Sequence, residues 1–177
     1  MSRDKSAVES FIKGLTSEIS IGADKPSPNI WRQKAFRADN AHAKLLAIIL
    51  AHHKPIDLLT GQKIDIAKSL AWTNLKEYHH FFPRDYLTIH GVDASKANSL
   101  ANIVMLTSVS NKQVSNRAPS DYLRDVQSAS GNALDKWLES NLISKDAFQA
   151  SLNDDYDGFL AARCETIDSI VADLTGW

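Results

Sequence analysis

Apolar positions recur at helical spacing at the front and in the tail of this chain, while a stretch in between breaks that period. Val8, Phe11, Ile12, Leu15 and Ile19 predict an amphipathic helix over residues 6–19. Pro26, Ser27, Pro28 and Asn29 then mark a loop or linker. Asn40 is placed to cap a second helix reaching residue 53, where Leu45, Leu46, Ile48, Ile49 and Leu50 predict a buried element that Pro55 ends. Thr60-Gly61 between apolar residues predicts a tight turn. In the tail, Leu134, Trp137, Leu138 and Leu142 form one helical stripe. Tyr156, Phe159, Leu160, Ile167, Ile170, Val171 and Leu174 form another. That spacing makes the tail aromatics core residues. Asp154, Asp155 and Asp157 suit the start of the second tail helix, and Gly176 its exit.

Between these regions the pattern turns β-like. Residues 75–82 and 100–106 predict two short strands, flanking a polar stretch with Gly91, Asp93, Ser95 and Asn98. A connection over residues 83–99 is long for a structureless loop, which points to function. A short helix is expected over residues 108–116, closed before Pro119 because the residue preceding a proline avoids the α region.

Composition narrows the setting. A chain of 177 residues with 44% hydrophobic residues can bury one substantial core, so a single domain is expected. Its parts would be a helical portion over residues 1–70, a central unit over 71–127 and tail helices over 128–177. The charged start and the shortness of the aliphatic run at residues 45–51 predict a chain with no signal peptide and no membrane span. Cys164, the lone cysteine, excludes an internal disulfide and a Cys-rich zinc knuckle, and a reducing cytoplasmic location fits best. The formal net charge of −1 argues weakly against an anionic partner. It conceals an imbalance, because residues 131–177 hold nine acidic and three basic residues and leave the front portion basic. That basic portion is compatible with phosphate binding and equally with a solvated surface.

Candidate chemistry gathers in Glu77-Tyr-His-His-Phe-Phe-Pro-Arg-Asp-Tyr-Leu87 and in the run from Ala101 to Tyr122, which includes Asn102, Asn111 and Asn-Arg-Ala-Pro-Ser-Asp-Tyr. Phosphodiester hydrolysis needs a base to deprotonate water and a cation to take up charge on the phosphate. An imidazole with an ordinary pKa near ~6.5 can be that base.

In order and spacing these residues resemble the HNH (ββα-metal) endonuclease family. The His-His-x-x-Pro element, the Asn opening the second strand and the Asn nine residues later carry the resemblance. It is finer still to the C-terminal HNH domain of GmrSD-like, modification-dependent restriction proteins, through Glu-Tyr-His-His-Phe-Phe-Pro, Asn-Arg-Ala-Pro-Ser-Asp-Tyr-Leu and the Phe159 to Ile167 segment. The resemblance implies an α+β fold, with a small ββα-metal unit embedded in a mainly helical domain. It implies a divalent-metal-dependent endonuclease acting on DNA, within a bacterial restriction or anti-phage system. His80 would be the general base and Asn102 the residue orienting its imidazole; His79 and Asn111 would bind the metal. Mg²⁺ or Mn²⁺ is the expected cofactor, with Ni²⁺ or Zn²⁺ as further candidates. Relatives usually carry an N-terminal nucleotide-dependent domain, and nothing comparable is visible in this sequence; the resemblance leaves open a separated nuclease part, with that domain or a partner protein elsewhere, and a stand-alone relative.

Each residue has a plainer reading beside this one. A His pair on a strand is often structural, and Asn favours caps and turns. Arg84, Lys112 and Arg117 are candidate phosphate contacts or solvated charges. His42, His52, His53 and His90 are expected to be surface or core histidines, and Asn116 a turn residue. His79 stands where relatives commonly have Asp. Neighbours on an ideal strand face opposite ways, so sharing one metal with Asn111 requires a distorted strand end. The rival functions are an RNA-directed or toxin-like nuclease and a catalytically silent partner-binding module.

Overall fold

A two-stranded antiparallel sheet sits among helices in the computed structural model, which describes residues 27, 29–37, 40–66 and 78–175. The expected helix over residues 6–19, most of the Pro-rich stretch after it, positions 75–77 of the first expected strand and the Gly176 exit lie outside these residues. In chain order the elements are α1 (Ile30–Gln33), α2 (Ala41–His52), β1 (Tyr78–His80), α3 (Arg84–Ile89), α4 (Ala94–Ala97), β2 (Ile103–Met105), α5 (Ser108–Val114), α6 (Pro119–Ser130), α7 (Leu134–Ser140), α8 (Lys145–Leu152) and α9 (Tyr156–Thr175). Short 3-10 turns, Leu100–Asn102 and Gly131–Ala133, precede β2 and α7. The chain is therefore mainly helical with a small antiparallel sheet, the expected α+β class.

In the sheet, Tyr78 faces Met105, His79 faces Val104 and His80 faces Ile103. A two-stranded ribbon exposes backbone groups on both outer edges, and buried ones must find partners. On the outer edge of β2, the Met105 N–H donates to Asn141 Oδ1 (3.2 Å), and the Ile103 carbonyl accepts from Arg163 Nη2 (2.7 Å). Arg163 is fully buried, lies over the Phe159 ring and also donates to the Asn141 carbonyl. Burial pulls its pKa down to about 9.

The two phenylalanines directly after β1 anchor that strand. Phe81 stacks on Phe159 of α9 with ring centroids 4.7 Å apart, and Phe82 meets Tyr156 and Phe159 at 4.9 and 5.1 Å. Tyr122 of α6 donates its hydroxyl hydrogen to the Phe81 carbonyl (2.8 Å). Burying each of these rings contributes about 1.5–3 kcal/mol. His80 is thereby fixed at the point where the sheet leaves the core.

Caps explain several boundaries. Asn40 accepts from the His42 N–H at the start of α2, as expected, and α2 ends at His52 before Pro55. The Thr60-Gly61 turn also forms, with Gly61 at φ +69° and Ile56 bridged to Lys63. Its organiser is buried Asp57, whose carboxylate accepts from the N–H groups of Leu59 and Thr60 and the hydroxyl of Thr60. The same carboxylate reaches the Thr107 N–H (2.7 Å) and the Ser110 hydroxyl (2.6 Å), joining this turn to the start of α5.

Other expectations are corrected. The polar stretch between the strands is not a loop but contains α3 and α4. Asn102 belongs to the 3-10 turn before β2, not to the strand. Pro119 does not merely end a helix; it opens α6 at a first-turn position, where its missing N–H costs nothing. α8 is an addition that the apolar pattern does not predict. Leu45 and Ile48 on α2 face outward, as does Leu174 near the end of α9. Tyr156 and Phe159 are core as predicted, while Trp137 packs against the core from a partly buried position. Among the described residues no helix is long and apolar enough to cross a membrane.

Candidate active site

His80 ends β1 half-buried, and its Nε2 lies 2.9 Å from Asn98 Oδ1, just past the end of α4. The amide of Asn98 is itself oriented, because its Nδ2 donates to the Phe36 carbonyl (3.1 Å), a pure acceptor. Asn98 therefore turns its oxygen to the ring, Nε2 carries the hydrogen and Nδ1 holds the lone pair. Burial holds His80 below the ordinary imidazole value of 6.5. The hydrogen bond to Asn98 opposes that shift, and the nearby Arg84 guanidinium adds to it. The net downward shift favours the uncharged ring, and the Asn98 contact favours Nδ1 as its proton acceptor.

Asn102 does not touch that ring. It is fully buried, accepts from the Phe82 N–H (2.8 Å) and donates to the carbonyls of Phe82 (3.0 Å) and Ala97 (2.8 Å). Orientation of the imidazole, expected of Asn102, falls directly to Asn98. Asn102 acts one step back: it ties Phe82, two residues after His80, to Ala97, the neighbour of Asn98. Its backbone carbonyl adds a bond from the Phe81 N–H (2.8 Å).

His80, Pro83, Arg84, Asp85, Asn111 and Ser115 line one open depression of about 290 Å³. Asn111 arrives there from α5, whose first turn is capped by Thr107 and held by Asp57. Ser110, Thr107 and Thr60 bond the Asp57 carboxylate strongly enough to outweigh its burial, so its pKa lies below the usual value of 3.8. His79 is not on this wall; it pairs with Val104 at the neighbouring strand position, where alternation turns a side chain to the other face. The structure thus brings together His80, Asn111 and Arg84 of the expected residues and leaves His79 aside.

The phosphate candidates separate in the same way. Arg84 is exposed on the wall of the depression, and Lys112 is exposed beside Asn111 on α5. Arg117 is already engaged, donating to Asp121 (2.9 Å) and Asp125 (2.7 Å), which push its pKa further up. A guanidinium held by two carboxylates has less to offer a phosphate than the exposed side chains of Arg84 and Lys112. His42, His52, His53 and His90 do not line the depression, and Asn116 is exposed just past α5.

The sequence alone does not single out Asn98, which bonds His80, Asp57, which holds the start of α5, or Asp85, which lines the depression. The signal for the first was present: Asp93 accepts from the Ser95 N–H as a cap of α4, and Asp-x-Ser marks such a start. Among the described residues no three His, Cys, Asp or Glu side chains gather as a metal cage. The donors on the wall do suit an open site, since Asp85 and Asn111 offer hard oxygens and Mg²⁺ commonly takes one or two carboxylates plus water and substrate phosphate. Compared with known proteins, the chain matches no family model, no curated protein and no solved structure.

Proposed function

We propose that this protein is a divalent-metal-dependent endonuclease of the HNH type that hydrolyses DNA phosphodiesters, with β1, β2 and α5 as its ββα-metal unit. The observation that carries this reading is the imidazole of His80, held at Nε2 by Asn98 on a wall shared with Asn111 and Arg84. β1, β2 and the Asn-bearing α5 come in the chain order the resemblance implies, with α3 and α4 between the strands. Preference for DNA and a role in bacterial restriction or anti-phage defence rest on that resemblance.

In this mechanism Nδ1 of His80 takes a proton from water as the water oxygen bonds to phosphorus and the bond to the leaving oxygen breaks. Asn98 keeps Nε2–H turned away, so the lone pair is on the atom that accepts the proton. Arg84 places positive charge beside the phosphate and opposes protonation of His80 before the reaction. Asn111 would help hold the cation, which when bound supplies charge for the phosphate and leaving oxygen.

The test is cleavage of supercoiled plasmid, linear duplex and structured RNA with Mg²⁺, Mn²⁺ or chelator. Nicked circles should form with metal, and His80→Ala should lose about 10²–10⁴ in rate. Full cutting in chelator would exclude the metal mechanism. Preferential cutting of RNA would replace the DNA assignment, and inertness toward all three would favour a partner-binding module.

A further inference from the structure

We propose that Asp85, in place of His79, is the carboxylate that binds the divalent cation, together with Asn111. This rests on the nuclease reading above. Three observations lead to it. Asp85 shares the depression with Asn111 and His80, whereas His79 does not line it. Asp85 supplies the wall's one carboxylate among the described residues. The side chain is exposed in the first turn of α3, and among the described residues no hydrogen bond or ion pair occupies its carboxylate. The neighbouring wall residues, Arg84 and Ser115, leave Asp85 as the group that can bring negative charge to a cation here.

The backbone explains why a residue five places after the base can take this part. Asn102 holds both backbone groups of Phe82 where the chain bends, and Pro83 starts α3 at once, so the first turn of that helix reaches the depression that His80 also lines. A strand neighbour would need a distorted strand end to reach the same point. None is required for Asp85.

The donor set changes the expected metal. With His79 as ligand, imidazole nitrogen would favour Mn²⁺, Ni²⁺ or Zn²⁺. A carboxylate and an amide oxygen are hard donors, which suit Mg²⁺ and leave room for water and substrate oxygens.

The experiment measures Mn²⁺ binding, from loss of the free-ion electron paramagnetic resonance signal, to the parent protein, Asp85→Asn and His79→Ala. Asp85→Asn should weaken binding by at least the roughly 10–100-fold that loss of an outer-sphere partner already costs. His79→Ala should bind as the parent does. Because Asp85 is exposed, its variant should keep the parental circular dichroism spectrum. Parental Mn²⁺ binding by Asp85→Asn, loss of binding in His79→Ala, or no binding by the parent would each overturn the assignment. Plasmid cleavage by the parent, scored separately in Mg²⁺, tests the nuclease reading; a cutting parent whose Asp85→Asn variant still binds Mn²⁺ refutes the ligand alone.

Discussion

Asn102 offers the sharpest test of how the site is held, because its three side-chain bonds end on buried backbone. Each such bond contributes about 0.5–1.5 kcal/mol net, and orphaning a buried group costs about 1–3 kcal/mol. Losing all three places Asn102→Ala at roughly 3–5 kcal/mol, a large part of the roughly 5–15 kcal/mol that stabilises a domain. At about 2–4 °C per kcal/mol for a chain of this size, Tm should fall by roughly 6–20 °C. Asn102→Asp keeps the shape and sharpens the test. One carboxylate oxygen still accepts from the Phe82 N–H, but the other meets the carbonyls of Phe82 and Ala97, acceptor against acceptor. The folded state then raises the pKa of the new acid above its unfolded value. The variant is therefore least stable at neutral pH and recovers as pH falls and the carboxyl protonates. Urea unfolding of parent, Ala and Asp variants at neutral and mildly acidic pH measures this. Parental stability of Asn102→Asp at neutral pH, or no relative recovery in acid, would refute the hydrogen-bond assignment.

Three further outcomes are expected. Asp57 has a depressed folded pKa, so its contribution is complete above the usual carboxylate value of 3.8 and is lost as pH falls through the folded value; Asp57→Asn should unfold at lower urea at neutral pH and show a shallower acid limb. Gly61→Ala combines φ +69° with a Cβ that collides with the Trp137 ring, and should cost about 1–3 kcal/mol in the same unfolding assay. Arg84→Ala should weaken duplex binding and flatten its salt dependence, whereas Arg117→Ala should leave both unchanged and cost at most about 1 kcal/mol in stability; equal effects of the two on binding would contradict the division between a free and an engaged guanidinium.

Legibility in the sequence depends on the length over which a pattern has to persist. α9 is twenty residues long, enough turns for its apolar stripe to be unmistakable, and Asn40 and Pro55 bound α2 with local chemistry. α3, α4 and α8 span six, four and eight residues, too few for a helical period to separate from a polar loop. α6 is hidden differently, because a proline suits a helix stop as well as a start and Pro119 serves as the start. The site divides along the same line. His80 and Asn111 are visible through their order and spacing in one segment, but Asn98 has meaning only once α4 carries it back to the imidazole, eighteen residues after His80. Asp57 is further removed, acting on α5 from fifty residues earlier through Thr107. The connection between the strands is suspicious for its length, and that suspicion has a physical basis. It is long because it folds: α3 sets Arg84 and Asp85 on the wall of the depression, α4 returns Asn98 to the ring of His80, and Asn102 ties the two returning segments together.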